Sequence, residues 1–446
     1  MAFGAPRLAA ALARLDPAAS ANGFCVALSG GLDSSVLLHA LATGPHAGGS
    51  FALRAIHVDH GLQPESGAWA AASRALCEGL DVPFESVRLS LTPPAGASVE
   101  AAAREARYAA LAGRLRAGEW LLTAHHRDDQ LETVLIQLMR GAGVAGLAAM
   151  PALAALGGGM HARPLLDVDR AELVDYARDA RLTTVQDPMN ADLRFDRGWL
   201  RQRVLPALHE RWPAVATTVA RSARHLGQAQ RLLAELAATD ASALVDEGRL
   251  AIDDLQRLSP DRQVNLLRWW IHSRGLGSPP AARLEAALHD LTRARVDAQP
   301  LVRWPEGELR RYRGRLYAMP CSVPWRGATA SGWDGSQLID LGPGLGQFSL
   351  QPGEQGGLRL PLPAAPAIRF RTGGEALRPA AGRPRKRLKD LCQETGIVPW
   401  MRPRLPLVFV GERLAAVGDL WIDADLAAPA GVPALAPVWS GRPLLY

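Results

Sequence analysis

Three polar clusters in this 446-residue chain hold residue types and spacings that could do chemistry. The first is Ser29-Gly30-Gly31-Leu32-Asp33-Ser34-Ser35. Paired glycines let a backbone turn sharply and approach a ligand, and successive N–H groups opening a helix form a nest for phosphate. The lysine with which a Walker A loop reaches terminal phosphates is absent. The loop therefore suits gripping pyrophosphate as a leaving group, with attack on the α-phosphate and transfer of AMP. Asp33 would be repelled by such a ligand unless a cation intervened, and Mg²⁺, which binds a few carboxylates plus phosphates, resolves this. A strand–turn–helix can also carry Gly-Gly with no ligand at all.

The second cluster runs from Thr123 to Glu132 and contains His125, His126, Asp128 and Asp129. Asp129 with Glu132 three residues on could be a helix capping box, which leaves His125 and Asp128 unexplained. The histidines here and at His57 and His60 could instead bind two metals, as in a phosphoesterase, but the glycine loop would then have no role. The third cluster, 103–108, places Arg104 and Arg107 as i, i+3 neighbours on a helix, where a solvated, salt-bridged face is the plainer alternative.

The elements that must position these clusters alternate between short apolar runs and helical patterns. Strands are predicted at 24–28, 53–58, 84–91 and 120–124, and helices at 34–42, 66–79, 98–117 and 128–140, with a fifth unit at 160–165 and 169–180. Such repetition predicts a parallel sheet with helices on both faces, and ligands bind beyond the C-terminal strand ends of such sheets. The phosphate loop, the segment from His57 to Gly61 and the His125–Asp129 stretch all follow predicted strands. Beyond Pro213 the chain reads as helical to about Arg295. Residues 340–368 are dense in Gly and Pro, as in a linker or tight hairpins, and a small α+β tail follows. Three domains are expected, over 1–212, 213–340 and 367–446.

Bulk composition narrows the class. A hydrophobic fraction of 48% fits a folded protein. Four scattered cysteines, with no Cys-x-x-Cys, suggest neither a disulfide framework nor a zinc or iron–sulfur site and point to a reducing, cytoplasmic setting. Arg7, Arg14 and Asp16 break the apolar N-terminal face, so no signal-peptide core is expected. The uncharged stretch 141–160 is long enough to span a bilayer, but its six glycines and Pro151 argue against a span. Net charge is +6, and ten Lys/Arg against three Asp/Glu lie between Arg369 and Arg404. That segment holds essentially all of the excess, which suits a polyanion such as RNA as well as a solvated loop face.

The Ser-Gly-Gly-x-Asp-Ser loop resembles that of the N-type ATP pyrophosphatases, the PP-loop family. The motifs around His57–Leu62, with Ser66 and Trp69, and 103–108, 123–133, 140–147, Arg163–Leu166 and Asp187–Asn190, look in order like those of the tRNA(Ile)-lysidine synthetases. In the tail, 370–375, 388–391, Pro399-Trp400, 404–407 and 417–421 are similar too. The sequence departs at Asp196-Arg197-Gly198, where the family usually has Arg-Asn.

The resemblance implies an α/β fold with an N-terminal parallel-sheet nucleotide-binding domain of PP-loop type, a mainly helical middle domain and a small α+β C-terminal domain. It implies a ligase that uses ATP and Mg²⁺ to adenylate the wobble cytidine of a CAU-anticodon tRNA(Ile). Free L-lysine then displaces AMP. By analogy, the loop residues Ser29, Gly30, Gly31, Leu32, Asp33, Ser34 and Ser35, with His57, would hold the nucleotide and Asp33 the metal. Asp129 and Glu132 would capture lysine, with His125 and Arg104 near the reacting phosphate and base. Arg197, Arg201, Arg385, Lys386, Arg387, Lys389 and Arg404 would meet the tRNA, and a homodimer is left open. The competitors are a 2-thiocytidine-type PP-loop enzyme, which uses Cys-x-x-Cys pairs that this chain lacks, a tRNA-binding protein with a dead ATP site, and the metal-dependent phosphoesterase.

Overall fold

The protein is described from a computed structural model. The structure describes residues 2–44, 52–59, 61, 66–89, 99–185, 192–277, 279–293, 298, 300–321, 333, 335, 337–353, 356–443 and 445–446. His60, Leu62 and the 187–190 motif lie outside them. Two compact units result, Met1–Leu236 and Ala237–Tyr446.

The first unit opens with α1 (Ala5–Leu15), β1 (Gly23–Ala27), α2 (Leu32–Ala42), β2 (Ala52–Asp59), α3 (Ser66–Gly79), β3 (Phe84–Arg88), α4 (Val99–Ala112) and β4 (Glu119–Leu122). It continues with α5 (Arg127–Met139), α6 (Val144–Leu147), β5 (Leu153–Leu156), β6 (Gly159–Ala162) and α7 (Arg170–Asp179). The strands order as β3-β2-β1-β4-β6-β5, parallel except for the β5–β6 hairpin at one edge. Every residue of β1 and β4 is buried, as central strands covered on both faces must be. Alternation assigns their side chains to two cores. Phe24, Val26, Trp120 and Leu122 join residues of α1, α2 and α7 on one side, while Cys25, Ala27 and Leu121 meet Ile56, Val87 and Leu111 on the other. Burial pushes the Cys25 thiol up to about 12 and the Cys77 thiol up to about 11, so both behave as apolar core groups.

The chain steps from β1 outward to β3 and then back across to β4. The crevice between the C-terminal ends of β1 and β4 is therefore the switch point where open α/β sheets bind ligands. After α7 come α8 (Asp196–Trp199), a π-helical turn (Leu200–Val204) and α9 (Leu205–Arg211). The 30-residue α10 (Val215–Leu244) follows, and the division between the two units falls within it.

In the second unit, the short α11 (Ile252–Leu255), α12 (Pro260–Ser273) and α13 (Ala281–Arg293) pack with a five-stranded antiparallel sheet built from residues 245–319. The helices match the sequence expectation; the sheet has no counterpart in it. The Gly- and Pro-rich stretch is no linker: Gln347–Gly353 pairs with Ala434–Ser440. Trp400 lies edge-on to Tyr317 at 5.1 Å and beneath Arg310, joining the tail to that antiparallel sheet. Among the described residues, no helix is long and apolar enough to cross a membrane.

Candidate active site

The phosphate loop connects β1 to α2 at the switch point. Gly30 adopts φ +81° and carries no Cβ, which would meet Ser73 Oγ at 3.0 Å and Val185 Cγ2 at 3.1 Å. The Gly30 carbonyl accepts from Val185 N. Among the described residues Gly31 caps α2 with no side-chain hydrogen bond, which leaves the first N–H groups of the helix suited to an anion. Ser34 and Ser35 shape the loop: both hydroxyls donate to Gly31 O, at 3.1 and 3.0 Å, and Ser34 Oγ also accepts from Ser29 N.

A cavity of about 720 Å³ opens over this loop and is also lined by Arg107, Thr123, His125, His126, Asp128, Asp129, Glu132, Arg197 and Arg201. Of the residues expected at the site, Ser29, Gly31, Leu32, Asp33, Ser34, His125, Asp129 and Glu132 are brought together here. Gly30 and Ser35 support the loop from behind. His57 is buried, and its Nδ1 lies 2.9 Å from the Leu28 carbonyl, so it braces the end of β1 rather than facing the cavity. Arg104 stacks over Tyr108, and it is Arg107 that reaches the cavity wall.

At the start of α5, Asp129 reaches back to the residue that caps the helix, its Oδ2 accepting from His126 N at 3.0 Å. The other Asp129 oxygen accepts from Arg201 Nη2 at 3.1 Å, and Arg201 also grips Glu132 with two bonds, Nε to Oε1 at 2.5 Å and Nη2 to Oε2 at 3.0 Å. Arg201 thus turns into the cavity, and Arg197 donates to Thr133 Oγ1. Glu132 is only 1% exposed; burial raises its pKa against the pull of Arg201. His126 sits among Asp33, Asp128 and Asp129 at 3.5–3.7 Å. Burial alone would lower its pKa, but Asp128, Asp33 and Asp129 raise it to about 10, so the ring is an imidazolium at neutral pH. His126, in turn, helps hold Asp128 down at about 2. The π-helical turn carrying Arg201 has no signature in the sequence beyond the Arg-rich run.

Gly198, in the Asp196-Arg197-Gly198 run, sits where the backbone is crowded. A Cβ there would lie 2.2 Å from the Asp192 carbonyl oxygen, so this backbone excludes a side chain.

Comparison with known proteins follows the same outline. The model of a PP-loop domain matches residues 5–208, that of a TilS substrate binding domain residues 250–317, and that of a TilS substrate C-terminal domain residues 367–439. The tRNA(Ile)-lysidine synthase of Methylococcus capsulatus is 42% identical over 90% of this chain and 92% of its own. Those of Alkalilimnicola ehrlichii and Pseudomonas aeruginosa are each 44% identical, over 93% and 92% of this chain and 92% of their own lengths. The chain belongs to the tRNA(Ile)-lysidine synthase family. It is an enzyme of that family, and its PP-loop domain makes ATP its nucleotide.

Within this family member, the basic tail segment is less uniformly free than its charge suggests. Arg369 pairs with Glu412, Arg371 with Glu375, Arg378 with Asp425, and Lys386 with Glu394. Arg404 is half-buried, and burial lowers its pKa. Arg385 is exposed and donates to the Ala376 carbonyl, while Arg383, Arg387 and Lys389 are exposed without an ion pair among the described residues.

Proposed function

We propose that the chain ligates free L-lysine to C2 of the wobble cytidine of a CAU-anticodon tRNA(Ile), releasing AMP and pyrophosphate. The observation that carries this reading is the single cavity that gathers the phosphate loop, His125 and the Asp129 and Glu132 carboxylates. In the first step the cytidine O2 attacks the α-phosphorus of ATP, and the bond to pyrophosphate breaks. In the second, the lysine ε-amine attacks C2, the C2–O bond to AMP breaks, and the amine loses a proton. Adenylation is needed because a pyrimidine C2 carbonyl is a poor electrophile. The cytidine must leave its stack to be reached.

The open N–H groups of α2 suit the charge that collects on departing pyrophosphate. Asp33 Oδ1 is buried with no hydrogen-bond partner among the described residues, and Asp33 would hold a Mg²⁺ there. Such an ion would supply charge neutralisation for the leaving group. Asp129 and Glu132 already accept a cation, the guanidinium of Arg201, and an alkylammonium has the same charge. At pH 7 only about one lysine amine in a few thousand is neutral, given its reference pKa of about 10.4. A carboxylate base beside it is therefore useful, and burial makes Glu132 more basic than an exposed glutamate. We assign the chemistry to residues 1–212 and the handling of the RNA to 213–340 and 367–446, with Arg383, Arg385, Arg387 and Lys389 as the exposed cations of the tail. We assign the enzyme to the cytoplasm, where ATP and tRNA are both at hand.

Incubation with ATP, labelled lysine and CAU-anticodon tRNA(Ile) should put label into the tRNA, and a methionine tRNA with the same anticodon should take none. ATP cleavage without lysine incorporation would favour a hydrolase instead.

A further inference from the structure

Behind His125 runs a chain of hydrogen bonds that the two steps above do not use. His125 Nδ1 meets Thr123 Oγ1 at 2.8 Å, the same hydroxyl meets His161 Nε2 at 2.8 Å, and His161 Nδ1 meets Arg163 Nη2 at 3.1 Å. Thr123, His161 and Arg163 are buried, and Arg163 is anchored by its Nη1 donating to the Pro151 carbonyl at 2.7 Å.

Only the guanidinium has a fixed polarity, because it has donors and no acceptor. Arg163 therefore donates, and His161 Nδ1 must accept. A neutral imidazole carries one hydrogen, so that of His161 sits on Nε2 and is donated to Thr123 Oγ1. The Thr123 hydroxyl has one hydrogen of its own, and His125 Nδ1 is the only other partner it has among the described residues. His125 Nδ1 accepts it, which leaves the His125 hydrogen on Nε2, the nitrogen with no partner among the described residues, on a ring that lines the cavity. Both rings are neutral at working pH, since burial, aided by nearby arginines, pushes each down to about 3.

We propose that Arg163, His161 and Thr123 are positioning residues that lock His125 as a neutral Nε2–H donor toward the adenylyl group in transfer, and not as a base. The target of that donor rests on the ligase reading; the locked tautomer does not. A fixed, neutral donor aimed at an oxygen that gains charge needs no reorganisation when the reaction occurs.

The test uses the full chain with ring-¹⁵N histidine, with the His125 signals assigned by their loss in His125→Gln. In the unmodified protein, Nδ1 should be unprotonated and Nε2 protonated. Thr123→Val should mix the tautomers and slow single-turnover adenylation of tRNA about tenfold to a hundredfold, the range typical of lost outer partners. Thr123→Ser should recover both. A proton on Nδ1 in the unmodified protein, or slowed adenylation in Thr123→Val with the tautomer unchanged, would overturn the proposal. So would a mixed tautomer with an undiminished rate. If Thr123→Val does not fold, the tautomer of the unmodified protein and of Thr123→Ser decides. If the unmodified protein adenylates no tRNA, the ligase reading fails, and the nitrogen spectra still judge the lock.

Discussion

Asp33 and Glu132 line one cavity, and the proposed reaction gives them different duties. Asp33→Ala should abolish AMP formation with tRNA binding intact; normal ATP turnover in that variant would remove Asp33 from the chemistry. Glu132→Gln keeps the shape of the side chain, so adenylation should persist while lysine transfer slows about a hundredfold or more, and adenylated tRNA should accumulate. Equal loss of both steps would count against the assignment. His161 makes a pH prediction. Its native ring stays neutral down to about 3, whereas an unfolded histidine takes a proton near pH 6.5. The unfolded chain then binds more protons, so stability should fall as pH drops from about 6.5 toward 3. Urea titrations at pH 7.5 and 5 should show a smaller pH dependence in His161→Leu than in the unmodified chain; an unchanged difference would contradict it. At this scale the loop and the acidic cluster were legible from residue type and spacing. Which end of the pattern Asp129 serves was not, because Asp129 lies three residues from both His126 and Glu132, and only the start of α5 decides between them. His161 was silent as well, being one histidine in a short strand.

At the scale of elements, alternating apolar runs revealed the parallel sheet because its central strands are buried on both faces and so nearly continuous in hydrophobicity. The antiparallel sheet at 245–319 was hidden by its composition: Arg249, Arg303, Arg310, Arg311 and Arg315 interrupt strands only a few residues long. The pairing of Gln347–Gly353 with Ala434–Ser440 is non-local, and no local pattern announces it. The π-helical turn is what carries Arg201 to Asp129 and Glu132, and Gly198 lies one turn before it. Gly198→Ala must displace the Asp192 carbonyl, which should cost about 1–3 kcal/mol, the usual penalty of overpacking, seen as a lower urea midpoint. An unchanged midpoint would mean that the 192 segment yields freely.

At the scale of the whole molecule, charge is partitioned. The tail holds the basic excess, yet much of it is spent on local ion pairs, a distinction that composition cannot make. Reversing Arg387 and Lys389 together should weaken tRNA binding and lower the slope of log affinity against log salt by about one to two units. Lys386→Glu, which loses a cation already paired with Glu394, should do less. Equal affinities across these variants would make the segment a solvated surface. In the proposed order, AMP is placed on the RNA before lysine attacks. The direct measurement is to incubate the protein with α-³²P-labelled ATP and CAU-anticodon tRNA(Ile) in the absence of lysine, and then to add lysine. Label should first become covalently attached to the tRNA and then be released as AMP as lysine is incorporated. AMP formation that requires lysine but no tRNA would contradict it, because the lysine would then be the group that is adenylated.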